Sequence, residues 1–305
     1  MKKTFIVGFA LTILGIIFIT IASLNNAFYD VPQINEQIHF VSPHSTTKSY
    51  RQVRSIELKT PNDVKVEAYD GKSVKVSAPT SLNQIHYQSD SQRLTIGTAG
   101  LNHLLTSLLN RYDHSDPILI KIPRQTTLRS VKGSSTGELN FSALNVDQLR
   151  LRGTDEVHLK NVKVNGLLSI SGEADLNLNN VTADNLNINN DGEVDIQNSD
   201  FQKQPASIAN ADDISITNTK LNRANLTSSD GDINLNELQI THDLAVRTSD
   251  GDIHAVLNSA KNLAVSATAN DGKTTIFGHS RRHFTDGNLA TNYSFSTNDG
   301  DIHIE

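Results

Sequence analysis

The chain of 305 residues has no cysteine, no tryptophan and a single methionine, and aromatic residues make up only 5% of it. No disulfide framework, thiol nucleophile or cysteine-based zinc site is therefore available. A large sandwich core built on aromatic side chains is also excluded. Packing must rest on Leu, Ile and Val, helped by many Asn, Ser and Thr. Zincin and phosphate-loop signatures (H-E-x-x-H, Gly-rich loops) are missing as well. The eleven histidines are scattered, and His254 and His303 recur after Ile in equivalent contexts.

Positive charge is scarce in one half. Residues 1–132 hold 15 Lys+Arg against 9 Asp+Glu, whereas residues 133–305 hold 12 against 24. An acidic C-terminal half argues against nucleic acid as a partner, because that binding needs clustered cations to displace counterions.

One long apolar run is present. Residues 5–24, FIVGFALTILGIIFITIASL, carry no charge. As a helix they span roughly 30 Å, the thickness of a bilayer core. Lys2 and Lys3 precede the run, and no further Lys or Arg occurs before Lys48. The positive-inside rule then predicts a cell-membrane protein with a single pass. Residues 1–4 form a cytoplasmic tail, residues 5–24 an anchor in the membrane and residues 25–50 a stem, with the remainder extracellular. A cleaved export signal is the alternative reading of the same run.

Beyond the stem the sequence alternates. Residues 51–132 contain strand-like runs such as DVKVEAYDG and PILIKIP, interrupted by AGLNHLLTSLLNRY (99–112), which fits a short amphipathic helix or a loop. Residues 133–305 repeat. An apolar residue follows an acidic corner at Leu139, Val157, Leu176, Ile196, Ile214, Ile233 and Ile253, at intervals of 18 to 20 residues. A short alternating run enters each corner and another leaves it. Two strands per period of about 20 residues predict an all-β fold, a β-solenoid or β-helix-like stack of coils. Asn-rich connections suit turns whose amides bond from coil to coil.

The corners themselves, SSDGDI, TSDGDI and TNDGDI, read first as tight turns. Asp bonds its own turn, and Gly is expected to supply a positive φ. The second reading is a cation site: Asp230 and Asp232 should lie one coil from Asp250 and Asp252, and four carboxylates suit Ca²⁺. The nine-residue repeat of Ca²⁺-binding β-rolls is absent. The last interval is also unusual. Between Gly272 and Gly300 the chain inserts GHSRRHFTDGN, with His279, Arg281, Arg282 and His283. It reads as an exposed loop or as a flap over the end of the stack, where unpaired strand edges need cover.

Carboxylates recur in every coil, while a catalytic pair needs one distinctive environment. A non-catalytic role is therefore expected, with a polysaccharide-active enzyme as the competing class. The stretch ILIKIPRQTTLRSVKGSSTGEL (118–139), together with the DGDI corners, resembles the bacterial cell-envelope adhesin family that includes the Lia-operon type of membrane-anchored protein. That resemblance covers about residues 51–305. It implies a β-solenoid-like extracytoplasmic domain and supplies no catalytic residue. The expected partners are the membrane through residues 5–24, and envelope glycans or other membrane proteins. An accessory role in envelope-stress signalling is the alternative function.

Overall fold

Each turn of the chain lays down short strands whose side chains alternate in and out, and burial follows that alternation. In Leu149–Gly153 the residues Leu149 and Leu151 are buried while Arg150 and Arg152 are exposed. The computed structural model describes residues 33–34, 37–38, 45–79, 83–98, 117–153, 155–257, 261–287 and 291–305. Among these every element is a strand, and no helix is long and apolar enough to cross a membrane. The proposed anchor at 5–24 and the segment 99–112 lie outside the described residues. The chain divides into two units, Met1–His44 and Ser45–Glu305. In the first, Gln33–Ile34 pairs antiparallel with Gln37–Ile38.

The second unit is a stack of coils. One long side, here the front face, runs through Leu139–Ser142, Glu156–Lys160, Asp175–Asn179, Val194–Gln197, Ile214–Thr217 and the start of Ile233–Ile240, all parallel and in register. The back face runs through Ser130–Ser134, Leu149–Gly153, Lys163–Gly172, Thr182–Asn190, Ala206–Ala211 and Ala224–Ser228. A short third side of two-residue pairs, including Asn145–Val146, Asp200–Phe201 and Lys220–Leu221, closes each coil. The sequence pattern predicts two strands per coil. The third side is too short to show an alternation, which is why it is invisible there.

Register corrects one rung. Leu176 pairs with Val194, not with Ile196, and Val194 pairs with Ile214. The corner is DGEV (191–194), a variant of DGDI with the same charge and an apolar fourth residue. Ile196 instead pairs with Leu178 and Ile216, and it is fully buried. The core is a column of Leu, Ile and Val, with Phe141, Phe201 and Phe295 its largest fully buried side chains. A fully buried aliphatic side chain contributes about 1.5–3 kcal/mol, so a stack of such rungs is held mainly by this column.

Both ends break the sequential order. At the N-terminal end, Ser55–Lys59 lies between Arg93–Thr98 and Ser130–Ser134. Likewise Val64–Tyr69 lies between Ile118–Pro123 and Leu139–Ser142. The first coil is thus inserted beneath the second. At the C-terminal end the last coil does the same. Thr291–Thr297 sits between Leu244–Arg247 and Leu263–Ala269, and Ile302–Ile304 between Ile253–Leu257 and Thr274–Ile276.

The edges left open are then covered by antiparallel strands. Val74–Pro79 covers Ile118–Pro123, Ser45–Tyr50 covers Val74–Pro79, and Asn83–Gln88 covers Arg93–Thr98. At the other end His279–Ser280 and His283–Asp286 pair with Thr274–Ile276 and Leu263–Ala269. The basic insertion is therefore a cap on the stack. Phe284 packs edge-on to Phe277 at 4.8 Å, with the Arg281 guanidinium 4.5 Å over its ring. Covering strand edges in this way removes a template for uncontrolled pairing.

Candidate functional site

The front face carries three outward columns. The first starts where each coil leaves its acidic corner. Register places Asp63, Glu138, Glu156, Asp175, Glu193, Asp213, Asp232, Asp252 and Asp301 on successive rungs, followed by Lys273. Eight steps at the strand spacing make this carboxylate column about 38 Å long. The second column reads Asn140, His158, Asn177, Asp195, Ser215, Asn234, His254 and His303. The third includes Ser142, Lys160, Asn179, Gln197, Thr217 and Asn236.

The acidic column has an internal structural role. Each of its six Asp side chains accepts the backbone amide of the next rung. The Oδ1 atoms of Asp63, Asp175, Asp213, Asp232, Asp252 and Asp301 accept from Glu138, Glu193, Asp232, Asp252, Asp301 and Lys273, at 2.7 to 3.2 Å. Neighbouring carboxylates one rung apart repel by roughly 1 kcal/mol in water. A charge-assisted hydrogen bond contributes about 1.5–3 kcal/mol, toward the low end on an exposed edge, and so offsets that repulsion. Asp suits this contact because its carboxylate stands one carbon from the backbone.

The glycines of the corners correct the turn expectation. Gly231, Gly251, Gly272 and Gly300 do not have positive φ. They are needed because the coils touch here. A Cβ on Gly251 would lie 2.0 Å from the Gly231 carbonyl oxygen, one on Gly300 2.1 Å from that of Gly251, and one on Gly272 1.9 Å from that of Gly300. The hydroxyl three residues before the glycine completes the stack: Thr248 Oγ1 donates to the Gly231 carbonyl at 2.9 Å, and Thr297 Oγ1 to that of Gly251 at 3.0 Å. Left-handed backbone occurs at the opposite corner instead, at Ala143, Asn161, Asn180, Asn198, Asn218 and Glu237. There the Asn amides bond between coils, Asn180 to Asn161 at 2.7 Å and Asn218 to Asn198 at 2.8 Å.

The four Asp residues singled out from sequence fall into two groups. Asp232 and Asp252 are adjacent in the amide-accepting column. Asp230 and Asp250 stand exposed just before the touching glycines. A different trio has metal-ligand geometry. One ligand atom each from Glu138, Glu156 and His158 lies within 4.8 Å of the others. His158 Nε2 is 2.8 Å from Glu156 Oε2 and 3.6 Å from Glu138 Oε1, and the Asn140 amide donates to Glu138 Oε1 at 2.5 Å. The sequence signal for it, an E-x-H one coil after a Glu, is visible only once the register of Leu139 on Val157 is known. Farther along, the His254 and His303 rings stack at 5.4 Å with 5° between planes. Mid-face, Asp195 Oδ1 is covered and has no hydrogen-bond partner, while its Oδ2 accepts from Gln197 at 2.9 Å.

The inserted last coil is tied to its neighbours from the short end of the back face. Asp243 receives the Asn292 amide at 3.4 Å and pairs with Arg223 at 2.9 Å. The Asn292 hydrogen bond, with Arg223 beside it, holds the Asp243 carboxyl below its ordinary value.

Comparison with known proteins bears on the same residues. The model of the Toastrack DUF4097 family matches residues 53–305. A search of curated proteins finds no match. Among solved structures, a "putative lipid binding protein" from Parabacteroides distasonis is 14% identical, with 87% of this chain and 97% of that chain covered and a TM-score of 0.46. A "putative adhesin" from Parabacteroides merdae is 12% identical over 87% and 96%, with a TM-score of 0.41. A "putative cell adhesion protein" from Clostridium sporogenes is 10% identical over 86% and 99%, with a TM-score of 0.23.

Proposed function

We propose, from the premise that this chain belongs to the Toastrack DUF4097 family, that it is a non-catalytic, adhesin-like interaction module. It acts outside the cell, held to the membrane by residues 5–24. The observation that carries this reading is the front face: three outward polar columns repeating at one fixed spacing over many rungs. Asn, Asp, Ser, Thr and His side chains at a spacing of about 4.8 Å offer donors and acceptors to a ligand that also repeats, such as an envelope glycan. Affinity then comes from many weak polar contacts rather than from one pocket. Repetition also disfavours catalysis, since carboxylates recur on rung after rung in similar surroundings.

The test is retention of the full chain, in detergent micelles, on purified bacterial cell wall. Asn177→Arg with Asn234→Arg, both exposed on the front face, should lower retention at least about tenfold, the equivalent of 1.4 kcal/mol. Asn187→Arg with Asn225→Arg, exposed on the back face, should leave it unchanged. Equal retention of all three proteins would rule out the front face as the binding surface.

A further inference from the structure

A cleft of about 540 Å³ lies at the N-terminal end of the stack, apart from the front-face columns. Arg54, Lys72, Arg129, Ser73 and Gln92 contribute to its wall, as does the acidic Asp147. Its size is that of a small-ligand site. Its charge is what sets it apart.

Five neighbouring cations share three carboxylates. Lys59 and Arg93 pair with Glu57, Lys65 and Lys121 with Glu67, and Arg124 with Asp70, at 2.7 to 3.8 Å. The hydrogen bond from Lys59 keeps the Glu57 carboxyl below its ordinary value despite some desolvation. Among the described residues, Arg54, Lys72 and Arg129 have no such acidic partner. Asp147 keeps its negative charge in the same wall, its carboxylate accepting the Asn165 amide at 3.0 Å.

The inserted first coil creates this arrangement. The Arg54 amide donates to the Gln92 carbonyl at 2.9 Å, and the Arg54 carbonyl accepts the Arg129 amide at 2.7 Å. Gln92, Arg54 and Arg129 therefore stand on three adjacent rungs, and the two arginines are only about 4.8 Å apart at the backbone. In a stack that followed chain order they would not be neighbours. Lys72 enters from a turn pinned on both sides: the Tyr69 hydroxyl donates to the Ser73 carbonyl, and Arg124 holds Asp70. Three exposed cations with no acidic partner among the described residues line one cleft.

We propose that this cleft binds a phosphate-bearing group. Arginine forks match phosphate oxygens, and a phosphate carries enough acceptors to engage two guanidiniums and an ammonium together. One carboxylate or one phosphodiester brings a single charge, so the set is matched by successive phosphodiesters of one polymer or one lipid surface. A lipid headgroup and a soluble phosphodiester polymer share this chemistry.

The experiment uses the full chain in detergent micelles, titrated with short glycerol-phosphate phosphodiester oligomers. A parallel arm mixes phosphatidylglycerol or phosphatidylcholine into the micelles. Arg54→Gln with Arg129→Gln should weaken binding at least about tenfold, and Lys72→Gln about threefold. Arg93→Gln with Lys121→Gln removes the same charge from paired cations nearby and should stay within about twofold of the parent. Binding of the soluble oligomer assigns a soluble polymer as the source. Binding confined to phosphatidylglycerol micelles assigns a lipid headgroup. Equal losses in both double variants reduce the effect to diffuse charge and overturn the site, as does no binding of any phosphate probe at roughly 10 mM. If the Arg54/Arg129 variant does not fold, Lys72→Gln decides alone, and unaltered binding there overturns the proposal.

Discussion

The middle of the stack and its two ends solve the same problem differently. From Leu139 to Asn236 each coil lies on the one made just before it, so every rung pairs with a residue 18 to 20 positions away. At both ends the chain first makes the outer coil or first makes the inner one out of turn. Ile253 pairs with Ile302, 49 residues later, before Thr274 is reached from the far side. The middle is close to a one-dimensional array whose stability is a sum of neighbour contacts. The ends are locked by strands inserted between partners and then covered by antiparallel edges. An end built this way covers its coil edges with strands of the same chain.

That contrast can be broken most severely by deletion. Removing 291–305 takes out the rung between Leu244–Arg247 and Leu263–Ala269 and leaves two unmatched edges. The expected product is aggregated or loses its cooperative melting transition. Excising 157–175, one full middle repeat, joins Glu156 to Leu176 in the existing register. That protein should remain monomeric and fold, with melting lowered by only about 2–8 °C. Size-exclusion chromatography and thermal melts distinguish the two. If both deletions behave alike, the ends are not special.

A smaller break targets the corners. Gly300→Ala drives a Cβ to 2.1 Å from the Gly251 carbonyl oxygen, which belongs to backbone that cannot move aside. A loss of about 3 kcal/mol or more is expected, at the upper end for single substitutions. Gly97→Ala meets its nearest atom, the Lys59 carbonyl oxygen, at 3.5 Å, and should change stability by less than about 1 kcal/mol. Chemical denaturation measures both.

The acidic column gives a finer comparison within one residue. Asp252→Ala removes the acceptor of the Asp301 amide and should cost about 1–2 kcal/mol. Asp252→Asn keeps an acceptor oxygen while relieving repulsion, and should stay within about 0.5 kcal/mol of the parent. If the two variants are equally destabilised, charge rather than the amide contact is what the column needs. The same column tests the calcium reading: a rise in melting temperature with millimolar Ca²⁺ beyond that with NaCl of equal ionic strength marks specific binding, and an equal rise marks screening alone.

The smallest effect lies at the left-handed corner. Ala143 adopts φ 56° where the next three coils place Asn161, Asn180 and Asn198. Asn tolerates that backbone and Ala does so poorly. Ala143→Asn should therefore stabilise the protein by about 0.5–1 kcal/mol, and Asn198→Ala should cost about as much or slightly more, because the Asn218 amide loses its acceptor.

Sequence by itself determined the parts of this protein that depend on near neighbours. Alternation along six or so residues decides which side chains face the core, so Leu139, Val157, Ile214, Ile233 and Ile253 were legible as inward rungs at their intervals. So was the identity of the corners, apart from the shift that hid Val194 behind Ile196. Tertiary structure alone decided what depends on stacking. It set the order of coils at the ends, the need for glycine where carbonyls of adjacent coils meet, the amide contacts of the Asp column, and the placement of Arg54 beside Arg129. The physical reason is that a strand's own pattern says which face is apolar, but a parallel rung accepts any partner with the same pattern. Which coil it chooses is settled by loop length, end cover and steric contact between segments far apart in the chain.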